Sequence, residues 1–191
     1  MSFPSINLTL PSWLGEILPS PEQLFHTAES RMALVIELAA ANIRQGTGGP
    51  FGAAVFDLDS GRLLAPGLNL VTAASCSVAH AELVALMTAQ RLVGNFSLAA
   101  AGFNVELTSS TEPCAMCLGA LPWAGIKQLS CGARDSDARA IGFDEGDKPP
   151  HWPLLLEKRG IRVVRDICRP QAVAVLEQYR RQGGEIYNGK G

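Results

Sequence analysis

The chain has 191 residues, 47% of them hydrophobic and 18% charged, with a net charge of −2 and a pI near 5.9. That length can bury a full core within one domain, and no apolar run approaches the ~20 residues a membrane helix needs. A slightly acidic balance disfavours nucleic acid as a partner, since gripping phosphates takes clustered basic charge.

No Lys or Arg precedes Arg31, so the N-terminus lacks the basic region of a secretory signal even though Leu8 to Leu18 is fairly apolar. The expected compartment is the cytoplasm, without membrane association. The cysteines number five, and two of them, Cys114 and Cys117, have CxxC spacing. This favours metal or redox chemistry over a disulfide framework.

Residues 1–20, interrupted by Pro4, Pro11 and Pro19, suit an extended arm that precedes a domain at 21–191. Ser20, Pro21 and Gln23 read as a helix start, with a cap, a proline at the first turn and a capping-box partner. Met32, Val35, Ile36, Ala39 and Ile43 then repeat at helical spacing up to Gln45, and Gly46 stops the run. His26 marks a point where this helix can break.

Phe51 to Asp57 and Arg62 to Asn69 predict two strands of a hairpin around a short loop with Gly61. A helix over 78–92, a strand over 105–109, a helix from Pro113 to Trp123 and a strand over 127–133 follow. Residues 134–150, rich in Asp, Gly and Pro, form the longest irregular stretch and a candidate substrate loop. A helix over 152–159, a strand over 161–164 and a helix over 170–182 complete the order. Helices between the last three strands imply right-handed crossovers and parallel pairing beside the antiparallel hairpin. The expected fold is α/β, with a mixed five-stranded sheet in a three-layer α/β/α arrangement.

His80-Ala81-Glu82 opens one predicted helix, and Pro113-Cys114-Ala115-Met116-Cys117 opens another. At a helix start, unpaired N–H groups and the positive end of the dipole favour thiolate, the form of cysteine that binds metal. Cys114 and Cys117 can reach one ion from a single turn, His80 supplies a third ligand, and a zinc ion so held keeps its fourth position for water. Glu82 stands too close to His80 along the helix to share its direction. It suits the water rather than the metal, as a proton shuttle acting where zinc lowers that water's pKa to about 7. Alone, the CxxC also reads as a structural zinc clip and the HxE as coincidence. A closed structural site would need a fourth ligand, and Cys76, Cys131 and Cys168 do not stand at ligand spacing.

The pairing of HxE with PCxxC is the signature of zinc deaminases. From about Arg31 onward the chain resembles the cytidine-deaminase superfamily, and within it the bacterial guanine deaminases. Gly49-Pro50-Phe51-Gly52-Ala53, Asn69, Ser110-Thr111-Glu112, Trp123 and Gly142-Phe143-Asp144-Glu145-Gly146 carry the closer resemblance. It implies hydrolytic deamination of a free nucleobase, guanine to xanthine and ammonia, by a homodimer that holds zinc. It further implies a catalytic Glu145, with Asp144 as fallback, and substrate contacts from Asn69, Ala81, Phe51, Trp123 and Tyr187. The amide of Asn69 can donate and accept at once, and Phe51 and Trp123 offer flat apolar walls for a planar ring.

Other readings of these residues stay open. Asn69 can simply end a strand, Phe51 can be core, and Glu145 can be a solvated loop acid. Tyr187, in a polar tail after Gly183-Gly184, can close this chain's site or a partner's. His26 and His151 lack motif partners and read as surface or core histidines, and Cys76 as a small hydrophobe. The arm and the loop from Asp147 to Trp152 depart from the family pattern and can alter substrate choice. The alternatives to guanine are adenosine in tRNA, another amino-heterocycle, or a zinc-stabilised binding module without turnover.

Overall fold

A computed structural model describes Phe3, Ser5 and residues 7–189, so Pro4 of the expected arm lies outside the described residues. Five strands, β1 (Gly52–Asp57), β2 (Leu63–Leu68), β3 (Val105–Thr111), β4 (Gln128–Ala133) and β5 (Arg162–Val164), pair in the order β2-β1-β3-β4-β5. β1 is antiparallel to both β2 and β3, while β3, β4 and β5 are parallel. The mixed sheet thus follows from one hairpin and two helical crossovers.

Helices among the described residues are α1 (Leu14–Ile17), α2 (Ala28–Arg44), α3 (Val71–Ala74), α4 (Ala81–Val93), α5 (Ala115–Ala124), α6 (Asp135–Ala140), α7 (Trp152–Glu157) and α8 (Arg169–Arg181). None is long and apolar enough to cross a membrane. The period of two along β1 sorts its side chains between the layers. Ala53 and Val55 pack with Ala85 of α4, Leu121 of α5 and Trp152 of α7, whereas Ala54 and Phe56 meet Val35 of α2 on the opposite face. α8 joins α2 there through Val175 against Ala39 and Ala40. The result is the three-layer α/β/α fold that the sequence predicts.

The same alternation buries a polar cluster beneath α2. Glu106 on β3 is fully buried and accepts both Nε and Nη2 of Arg31 at 3.1 Å. Thr108 Oγ1 and Gln128 Nε2 each donate to it at 2.6 Å. A buried pair satisfied this fully is costly to half-remove, at about 3–5 kcal/mol for an uncompensated charge, so it fixes the register of α2 on the sheet.

Three expectations need correction. The first long helix begins at Ala28, where Thr27 Oγ1 accepts from Ser30 N at 3.1 Å, and not at Pro21. Residues before it run beside the hairpin instead: Leu24 bridges Arg62, Phe25 N donates to Gly61 O at 2.7 Å, and the Phe25 ring packs on Phe56. Burying that ring outweighs the local start signal, and Ser20 Oγ serves only a turn, accepting from Glu22 N at 3.4 Å. The arm is not wholly extended, because α1 tucks Leu14 among Leu38, Leu68 and Val84. Nor is 134–150 irregular throughout. α6 starts there, capped by the Asp137 carboxylate on Arg134 N at 2.8 Å.

Candidate active site

β3 delivers the chain through Glu112-Pro113 to α5, and a short loop after α3 delivers it to α4. His80 and Cys114 occupy the N-cap positions of α4 and α5, and Glu82 and Cys117 lie in the first turns. Both helices therefore bring the positive ends of their dipoles to the same cluster.

One ligand atom each from His80, Cys114 and Cys117 lies within 4.8 Å of the other two. His80 Nδ1 is 3.4 Å from Cys114 Sγ, close to the edge of about 3.5 Å that tetrahedral zinc–nitrogen and zinc–sulfur bonds define. The two thiols divide their protons unequally. Hydrogen bonding from Cys117 brings Cys114 down to about 4 against the effect of burial, and His80 assists. Cys117 is pushed up, by its bond to Cys114 and by burial. The His80 imidazole is raised: burial pulls it down, but the Cys114 bond and the Glu82 charge outweigh that. Three donors of the soft and imidazole type, with one thiolate preformed, fit zinc and leave one tetrahedral position for a non-protein ligand.

Glu82 is not part of this ligand set. Its Oε1 accepts from Ser109 Oγ at 3.2 Å and its Oε2 from Cys117 Sγ at 3.5 Å. Burial, and then the Cys114 charge, raise its carboxyl above the usual range. Sequence reasoning missed Ser109, although a signal existed. Ser109 shares strand parity with Val105 and Leu107, so it is a polar residue on the face that packs against α4.

A cavity of about 350 Å³ opens on this cluster, within the range of small-molecule sites. Asn69 borders it at the end of β2. Its Oδ1 accepts from Val71 N at 3.4 Å and its backbone carbonyl from Asn42 Nδ2 at 2.8 Å, while its own Nδ2 has no partner among the described residues. Phe51 forms another wall, edge-on to Phe143 at 4.9 Å, and Phe143 meets Tyr187 at 5.0 Å. Residues of the same chain's tail, Tyr187 to Gly189, therefore line this cavity. Tyr187 Oη is buried without a hydrogen-bond partner. A Cβ on Gly49 would stand 2.0 Å from that oxygen, so only glycine leaves room for it.

Of the two loop acids, Glu145 is the buried one, at 5% exposure. Burial lifts its carboxyl to about 8, opposed by the Lys148 ammonium. Asp144 also borders the cavity, but its carboxylate is 64% exposed and is turned to Gly146 N and Arg139. Ala81 is buried in the core, and as the first residue of α4 it carries one of the helix's orphan N–H groups.

Trp123 is a correction. It is 79% exposed and borders a separate groove with Trp152 and Leu155, so it does not wall the cavity. α5 turns Cys117, Leu121 and Ala124 inward at helical spacing, which leaves position 123 on the outer face. His26 and His151 are exposed, and Cys76 is half-buried beside the α1 cluster.

Two helix N-termini converging on a three-ligand metal cluster, with a free carboxylate beside it, make up the arrangement of a zinc-dependent deaminase. The chain belongs to the cytidine and deoxycytidylate deaminase zinc-binding family, whose sequence model matches residues 26–133. It is similar to the guanine deaminase of Bacillus subtilis, at 36% identity over 127 residues, covering 63% of this chain and 78% of that one. A solved structure of guanine deaminase from Nitrosomonas europaea superposes with a TM-score of 0.88 at 44% identity, over 93% of this chain and 97% of that one. The tRNA-specific adenosine deaminase of Haemophilus influenzae is 38% identical over 93 residues, about half of each chain at 49% and 51%.

Proposed function

We propose that the protein hydrolyses guanine to xanthine and ammonia. The observation that carries this reading is the near full-length likeness to a guanine deaminase, over 93% of this chain and so well beyond the two zinc motifs. Zinc, held by His80, Cys114 and Cys117, supplies a Lewis acid that makes water nucleophilic near neutral pH.

The chain's own groups do the rest. Water adds at the carbon that bears the exocyclic amine. Glu82 takes one proton from the water and hands it to the ring nitrogen. It then takes the second proton from the new hydroxyl, as that becomes the carbonyl and the C–N bond breaks, and gives it to the departing amine, so that ammonia leaves. Ser109 aims Glu82 for these transfers. Glu145 accepts from the N–H groups of guanine, the Asn69 amide and the Ala81 N–H pair with its polar edge, and Phe51 packs on the ring. Tyr187 shuts the cavity over a free base, where a nucleoside or a polynucleotide would need it open. The acidic balance also speaks against tRNA, whose binding would weaken steeply with salt.

Ammonia release from guanine, adenine, cytosine, cytidine, guanosine and a tRNA transcript at one salt concentration tests the reading. Guanine should be preferred, and Asn69→Ala should cost about 1–3 kcal/mol in kcat/KM without loss of zinc. Equal turnover of a pyrimidine or the transcript sinks guanine but leaves the zinc deaminase standing, as would preference for another amino-heterocycle.

Residues 1–20 act in this reading as an arm on a deaminase domain at 21–191, working in the cytoplasm as a homodimer. Trp123 of α5 and Leu155 of α7 are exposed along one apolar groove with Leu118 and Pro122, a face suited to a second copy. Light scattering should give twice the 20.3 kDa chain mass, and Trp123→Glu should halve it. A monomeric wild type would refute the dimer.

A further inference from the structure

Lys148 sits in the loop after Glu145, yet its side chain is only 7% exposed. Taking an ammonium out of water costs several kcal/mol unless partners compensate it, so its partners are informative. Its Nζ donates to the Pro113 carbonyl at 2.8 Å, one residue before Cys114, and pairs with Asp135 Oδ1 at 2.5 Å. The Trp152 ring lies 6.0 Å away.

The segment from Glu145 to Lys148 is thereby fastened at three points. Ala115 N donates to Glu145 O at 2.9 Å, Arg139 Nη2 donates to Gly146 O at 2.6 Å, and Lys148 closes the far end. Asp135 ties two of these together, because its Oδ2 accepts Arg139 Nε at 2.7 Å. Its backbone N–H donates to Glu112 Oε2 at 3.1 Å, and Arg165 holds Glu112 Oε1 at 2.6 Å. One ionic network therefore spans the end of β3, α6 and the Glu145 loop. Within it, Lys148 is the cation that comes from the Glu145 loop itself and bonds the carbonyl next to Cys114.

We propose that Lys148 is a positioning residue, which docks the Glu145 loop on the start of α5 so that the Glu145 carboxylate faces the substrate. The inference rests on the reading of Glu145 as the acceptor of the substrate's N–H groups. In zinc-loaded enzyme, Lys148→Met should keep full zinc and raise KM for guanine about tenfold or more, with kcat within about threefold, since Glu82 and the metal ligands are untouched. Lys148→Arg, able to remake the bond to Pro113 and the ion pair with Asp135, should return most of the loss. In the double variant with Glu145→Gln, Lys148→Met should add less than about twofold, because both changes remove one function.

An unchanged KM in Lys148→Met beside an impaired Glu145→Gln overturns this inference alone, as do independent effects in the double variant or zinc loss that parallels activity loss. An unchanged KM in Glu145→Gln overturns the reading of Glu145, and this inference with it. If Lys148→Met does not fold, Asp135→Asn carries the test. It should raise KM in the same direction at full zinc, and no change there counts against the proposal.

Discussion

Glu82→Gln should retain zinc and fold while losing at least about a hundredfold in kcat, the contribution of a positioned general acid and base. Two decades correspond to about 2.7 kcal/mol of barrier. The amide keeps the shape of the carboxylate and can still accept from Ser109 Oγ, which lies 3.2 Å from Glu82 Oε1. What it cannot do is take a proton from water and pass it on. Because Glu82 is buried beside the ligands without belonging to them, the metal should be indifferent to the change. Ammonia release, elemental analysis and a thermal melt on one preparation check the three parts. Turnover near wild type in Glu82→Gln would exclude the shuttle, whatever the zinc content.

The fold was largely legible because its signals are local and repeated. Alternating apolar positions, two helix-opening motifs and helical crossovers specify a mixed sheet, and β1 and α4 start within a few residues of where periodicity places them. The start of α2 was misread because the cap at Ser20 competes with burial of Phe25 against Phe56, a contact 31 positions apart that no local window contains. The metal cluster was legible for a similar reason. His80, Glu82, Cys114 and Cys117 come in two short motifs whose spacing is itself the chemistry.

The cavity wall was less so. Trp123 and Phe51 are equally flat and apolar as letters, and only the rotation of α5 separates an outward ring from an inward one. Choosing between Asp144 and Glu145 likewise takes the bond from Ala115 N to the Glu145 carbonyl, which settles how the loop turns at Gly146, at φ +68. Lys148 offers no sequence signal, since a lysine in a polar loop reads as solvated until its partners are seen.

Removing either thiol should have the larger effect on the metal. Purified protein is expected to carry about one zinc per chain, and Cys114→Ala or Cys117→Ala to carry much less, with activity falling alongside. Two remaining ligands cannot make the closed side of a tetrahedral site, and among the described residues His80, Cys114 and Cys117 are the one group of such donors that could hold an ion. The proton balance adds a second expectation. Cys114 is held down at about 4, so it is already thiolate near neutrality, whereas Cys117 is pushed up and keeps its proton until a metal takes its place. His80, whose imidazole is raised, must likewise lose its proton to bind metal. Zinc binding therefore releases protons, and apparent affinity should weaken as pH falls, by about tenfold per unit for each proton released. Competition with a chromophoric chelator between pH 6 and 8 measures that slope, with the chelator's own protonation accounted for. Full zinc retention in both alanine variants would remove His80, Cys114 and Cys117 as the metal site. A zinc-loaded wild type inert towards every amino-heterocycle would instead make the same cluster the core of a binding module, since an ion can hold two helix starts together without any turnover.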